Sequence, residues 1–153
     1  DDWLYGGDPE TIKTSIMQGR QGVMPAWQAI LGDDGVRDVT GYVRNLSNLE
    51  NPAGIAVDLD AGKQLYASNC AMCHGPDGKG LQVLGAPDLT DKVWLYGSSF
   101  AQVQQTIRYG RSGQMPAQAD FLGNDKVHLL AAYVYSLSQR EKAPAEGQSR
   151  EKD

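Results

Sequence analysis

The chain has 153 residues, 41% of them apolar and 22% charged, which fits one ordinary soluble globular domain or two very small ones. Fourteen basic against nineteen acidic residues leave a net charge of −5, and that disfavours nucleic acid as the main partner. No run of eighteen apolar residues occurs, so no membrane span is expected. The opening Asp1-Asp2-Trp3 lacks a charged-then-apolar leader, so a mature or trimmed start is expected.

Asp8-Pro9-Glu10 predicts a helix start, with proline at the first position. Val36, Val39, Val43 and Leu46 then line a second front helix. Ser47 to Val57 includes Asn51-Pro52-Ala53-Gly54, a linker composition. Asp58 to Asn69 predicts a helix with Leu59, Leu65 and Tyr66 as apolar positions. Ser98 or Ser99 caps a further helix through Tyr109, with Phe100, Val103 and Ile107 at helical spacing and Gly110 as its stop. Asn124 or Asp125 caps a last one, with Val127, Leu130, Ala131, Val134 and Leu137 on one face. No segment alternates like a strand, so an all-α fold is expected. The polar tail 141–153 is expected to be disordered.

The sequence also repeats itself. Sliding it by 91 positions aligns 1–47 with 92–138, and nineteen of the 47 aligned positions are identical. Trp3-Leu4-Tyr5-Gly6 falls on Trp94-Leu95-Tyr96-Gly97, and Gly19-Arg20-Gln21-Gly22-Val23-Met24-Pro25-Ala26 falls on Gly110-Arg111-Ser112-Gly113-Gln114-Met115-Pro116-Ala117. The segment 58–91 has no counterpart, so the expected organisation is the back half of a first module over 1–47, a linker over 48–57 and a complete module over 58–140. A fragment of a longer tandem protein is expected, a degenerate first module being the alternative. Charge follows the same division: 1–57 carries eight acidic and four basic side chains, while 58–140 carries seven of each.

The chemistry sits in Cys70-Ala71-Met72-Cys73-His74, which holds both cysteines of the chain and one of its two histidines. Cys-x-x-Cys-His is the attachment signature of c-type haem. Two thiols one helical turn apart can each add to a vinyl group of the ring, and the adjacent histidine reaches the iron. A disulfide over two intervening residues stabilises little and ignores His74. A thioredoxin-like pair wants a βαβ setting, and a zinc site wants a fourth ligand.

An electron carrier needs a distal ligand, and methionine raises the reduction potential. Met24 and Met115 both stand in Gly-x-Met-Pro after a glycine-rich turn. Met115, in the module of Cys70, is the first choice, and Met115→Ala should then lower the potential strongly. Met24 either served a missing first haem or is exchanged onto this one. Met72 is expected to pack on the ring, Met17 in the core, and His128 on a helix surface. The Pro87 carbonyl is a reasonable acceptor for the other His74 N–H. Arg111, Trp94 and Tyr96 are candidates for the haem propionates, against ordinary solvated or core roles.

Gly62-Lys63-x-x-Tyr66, Cys70-Ala-Met-Cys-His-Gly, Gly78-Lys-Gly, Gly85-Ala-Pro and Gly113-Gln-Met-Pro together resemble a class I cytochrome c domain. More narrowly, the duplicated Trp-Leu-Tyr-Gly, the 91-residue offset and Leu89-Thr90-Asp91 resemble the two-haem cytochrome subunit of cbb3-type cytochrome c oxidase. The resemblance implies a small helical bundle around one covalent haem c, with two haems in the full-length family protein. It implies Cys70 and Cys73 as attachment points, His74 as proximal ligand and Met115 as distal ligand. It further implies electron relay, without substrate-bond chemistry, from a soluble donor cytochrome c through a second haem c subunit to the haem-copper centre. The place implied is the periplasmic face of the bacterial inner membrane, with a membrane anchor absent from these residues. A free periplasmic cytochrome c, or the cytochrome subunit of a periplasmic dehydrogenase, is the alternative. The family turn more often reads Gly-Ala-Pro-Asn, and Asp88 in its place adds a charge. The acidic front half is expected to steer a basic donor.

Overall fold

The computed structural model describes residues 3–142. In chain order these form α1 (Pro9–Gln18), β1 (Arg20–Met24), α2 (Gln28–Leu46), α3 (Leu59–Asn69), α4 (Ala71–His74), a 3-10 turn (Gln82–Leu84), α5 (Phe100–Tyr109), β2 (Arg111–Met115), α6 (Ala119–Leu122) and α7 (Asn124–Lys142). The expected tail lies outside the described residues except for its first two, which close α7. Among the described residues no helix is long and apolar enough to cross a membrane.

Local chemistry sets the helix starts. Asp8 Oδ1 accepts from Thr11 N at 3.0 Å ahead of Pro9, and Asp58 Oδ1 accepts from Asp60 N and Ala61 N at 3.0 and 2.9 Å. Ser99 and Gln102 form a reciprocal capping box that satisfies two donors at the head of α5. Ser99→Ala should therefore cost about 1 kcal/mol, read as a lower denaturation midpoint at unchanged m-value.

The all-α expectation needs one correction: the fold is mostly helical, but β1 and β2 pair as a two-stranded sheet. In β1 the more buried positions are Arg20, Gly22 and Met24, while Val23 is 67% exposed. The alternation is real in burial but inverted in polarity, so no apolar period marks it.

Packing divides the chain into two compact units. Among the described residues, one holds 3–5 and 21–114, the other 6–20 and 115–142. In the first unit α2 packs against α3 and α5, around Val36, Val39, Val43, Tyr66, Cys70, Val103 and Ile107. In the second, α1 packs against α7, and Ile12 and Ile16 of the one and Val127 and Ala131 of the other are buried.

This division differs from the partition expected from the repeat, because the helix laid on α3 is α2 and not α7. Two residues give the physical reason. Asp38 Oδ1 accepts from Asp58 N at 3.2 Å at the start of α3, and a Cβ on Gly41 would fall 2.2 Å from Val57 Cγ1. The matching positions of α7 are Leu129, which has no acceptor, and Ala132, which has that Cβ.

The repeat survives as mirrored local geometry. Trp27 N donates to Ile107 O in one unit, and Gln118 N donates to Ile16 O in the other, both at 3.0 Å. The break inside α2 at Gly32 (φ 66°) corresponds to Gly123 (φ 75°) between α6 and α7.

Candidate functional site: a haem attachment turn

α3 delivers the site. It ends at Cys70, whose N–H still bonds Tyr66 O, and α4 starts at once. Within that turn Cys73 N and His74 N both donate to Cys70 O, at 3.1 and 2.9 Å, which sets the two thiols one turn apart. Tyr66, 1% exposed, donates its hydroxyl to Gly75 O at 2.7 Å and so fixes where the chain leaves the turn. Burial pushes the Tyr66 hydroxyl above the ordinary phenol range. Gly80 N donates to His74 O at 2.8 Å, and Gly80 lies so near Ala86 and Pro87 that a Cβ would meet Ala86 O at 2.4 Å. That close approach folds the following loop back beneath the histidine.

The result is the contact on which the site turns: His74 Nδ1 lies 3.2 Å from Pro87 O. Committing Nδ1 to a carbonyl leaves Nε2 as the metal-binding nitrogen and sets the ring's orientation. Burial holds the imidazole below the ordinary histidine pKa, with the Pro87 contact opposing it, and the neutral form is the one a metal needs. Asp88, the added charge, is tied to Thr90 N at 2.7 Å and to Lys79 Nζ at 3.4 Å. Burial raises its pKa, but these hydrogen bonds outweigh that and hold it below the usual carboxylate range.

No disulfide joins Cys70 and Cys73. Burial, with Cys73 adding to it, pushes the Cys70 thiol up to about 11. A redox-active Cys-x-x-Cys pair needs the opposite shift. Among the described residues no three of His, Cys, Asp and Glu are grouped to hold a metal ion, so the zinc alternative finds no further ligands.

Met24 and Trp27 pack against the cluster that contains Cys70, whereas Met115 is 42% exposed and belongs to the other compact unit. The first choice of distal methionine is therefore not the one grouped with Cys70. Trp94 also packs on that cluster. Tyr96 lies under the Arg111 guanidinium, 4.3 Å from ring centroid to Cζ, and Arg111 donates to Thr106 Oγ1 through Nε and Nη2 at 3.0 and 2.7 Å. Met72 is 83% exposed, Met17 half-buried and His128 exposed. Sequence reasoning passed over Asp38, Trp27 and Tyr5. For the first two the available signal was their asymmetry between the repeats, where Leu129 and Gln118 take their places.

The residues fit a flat apolar ring. Leu81, Val83, Leu84, Val93 and Leu95, all on the segment after His74, expose large apolar side chains, and Leu89 and Trp94 of the same segment pack on the buried cluster. Such a set in one short stretch calls for a covering group. Paired thiols, an oriented imidazole and an uncovered apolar surface define a c-type cytochrome site.

Comparison with known proteins agrees. Residues 57–134 match the family described as cytochrome c oxidase, cbb3-type, subunit III. The chain is 45% identical to the cbb3-type cytochrome c oxidase subunit CcoP of Rubrivivax gelatinosus, over 90% of this chain and 44% of that protein. It is 41% identical to the subunit FixP of Bradyrhizobium diazoefficiens, over 90% of this chain and 50% of that protein. It is 37% identical to CcoP of Cereibacter sphaeroides, with the same coverage as FixP. The chain thus belongs to the cbb3-type cytochrome c oxidase subunit III family, and its cofactor is haem c. It spans about half the length of the curated relatives it matches.

Proposed function

We propose that this chain is an outer-sphere electron relay working through one haem c within a cbb3-type oxidase. When bound, the haem supplies a one-electron couple, and the protein's levers on it are ligands, burial and hydrogen bonds. Cys70 and Cys73 tether the ring. His74 is the proximal ligand, turned by Pro87. Met24 is the distal ligand, a role supported by its packing against the cluster of Cys70. Trp94 walls the site, while Arg111 is the group to balance propionate charge and Tyr96 a hydrogen-bond donor beside it.

The fold is read as a class I cytochrome c domain made of α3, α4 and α5 and closed by α2. The helices α1, α6 and α7 are the matching half of a second module. Met115 then belongs to the other haem of the two-haem family protein. The partners are the other oxidase subunits, including a second haem c subunit, and a soluble donor cytochrome c. The place is the periplasmic face of the inner membrane, where haem is attached covalently.

The observation that carries the reading is the His74–Pro87 contact beside two cysteines set on one helical turn. The test is a reduced-minus-oxidised visible spectrum of exported protein, with haem counted per chain and thiols labelled after denaturation. One haem per chain and no reactive thiol is the expected result. Colourless protein with two labelled cysteines would overturn it.

A further inference from the structure

Tyr5 is not used by the mechanism above, yet it stands where both sides of the site converge. An added Cβ on Gly85 would fall 2.2 Å from Tyr5 Cζ, and one on Gly22 would fall 3.3 Å from its hydroxyl oxygen. The half-buried Tyr5 ring therefore lies directly on the Gly85 backbone, with its hydroxyl at Gly22. Gly85 is two residues before Pro87, whose carbonyl turns His74. Gly22 is two residues before Met24 on β1. A Cβ on Gly85 would overlap the ring outright, and one on Gly22 would press on the hydroxyl.

The segment carrying Tyr5 is itself tied down, because Gln82 Nε2 donates to Trp3 O at 3.2 Å. The Gly85 turn is held from its other side by Leu81 N to Ala86 O and Ala86 N to Leu81 O, at 3.0 and 3.2 Å. The repeat supplies a comparison. Tyr96 occupies the matching position, and its hydroxyl is 3.8 Å from a Cβ placed on Gly113, the counterpart of Gly22. Tyr96 is 47% exposed and turns its face to Arg111, whereas Tyr5 is packed between two backbone segments.

We propose that Tyr5 is a positioning residue for the haem site, a wedge that sets the separation between the turn behind His74 and the strand that carries Met24. The inference rests on Met24 being the distal ligand. Removing the ring lets the two supports drift, and a ligand held by a loop then opens more often. Gly85 faces Cζ, Cε1 and the hydroxyl oxygen together, while Gly22 faces the hydroxyl, so ring and hydroxyl share the positioning.

The test compares Tyr5→Ala, Tyr5→Phe and Met24→Leu in the haem-loaded chain. Three readouts apply: the long-wavelength charge-transfer band of methionine-ligated ferric haem, carbon monoxide binding to the ferrous protein, and amide exchange across residues 81–87. Tyr5→Ala should weaken the band, speed carbon monoxide binding about tenfold and raise exchange in the turn, while Tyr5→Phe, which keeps the ring on Gly85, should leave exchange in the turn near wild type. Unchanged band, binding and exchange in Tyr5→Ala would overturn the wedge. A band that persists in Met24→Leu defeats the ligand assignment instead, and turn exchange still decides whether Tyr5 holds the Gly85 side.

Discussion

Met24→Ala should lower the reduction potential of the haem on Cys70 by on the order of 0.1 V, a modest part of the roughly 0.8 V that axial ligands span. Met115→Ala should leave that potential nearly unchanged. The soft thioether favours the ferrous state, and alanine leaves the distal position to water or to an added ligand. Carbon monoxide should accordingly bind ferrous Met24→Ala and not Met115→Ala. The contrast follows from grouping: Met24 packs with Trp27 on the cluster around Cys70, and Met115 is assigned to the other unit. A redox titration of the two variants decides, and a fall confined to Met115→Ala would return the ligand to the module of Cys70.

Much of the site was legible because its determinants are local. The attachment turn is five consecutive residues, and the caps at Asp8, Asp58 and Ser99 act within three residues of themselves. Even the Pro87 contact spans only thirteen residues and follows from a glycine-rich turn. The choice of partner helix is different in kind. Val36, Val39 and Val43 in α2 and Val127, Leu130 and Val134 in α7 present the same period, since one segment is a copy of the other. Hydrophobic patterning cannot separate copies. What separates them is a single acceptor, Asp38, and a single missing Cβ at Gly41. Such features gain meaning only once the residue opposite is known. The sheet was hidden for a related reason, because the more buried positions of β1 are arginine, glycine and methionine, while β2 is exposed at every position but Arg111.

Gly62→Val should be the most destabilising single change in this unit, costing about 3 kcal/mol or more and preventing stable haem loading. Gly62 is buried on α3 at its crossing with α2, and a Cβ there would meet Asp38 O at 2.3 Å, Asp38 C at 2.8 Å and Tyr42 Cβ at 2.9 Å. Two of these three atoms are helix backbone, so no side-chain rotation relieves the clash. Separating the helices would instead uncover Val39 and Val43 and pull Tyr42 from Tyr66, whose rings stand 5.3 Å apart at 52°. Tilted aromatic pairs couple by about 0.5–1.5 kcal/mol beyond their burial. A double-mutant cycle replacing Tyr42 and Tyr66 by leucine should recover a coupling of that size, whereas the Tyr133–Tyr66 cycle should give none. Coupling to Tyr133 in place of Tyr42 would mean that α7, and with it Met115, closes the unit of Cys70. The helix pairing and the distal ligand therefore stand or fall together, because β1 leads into α2 as β2 leads into α6 and α7.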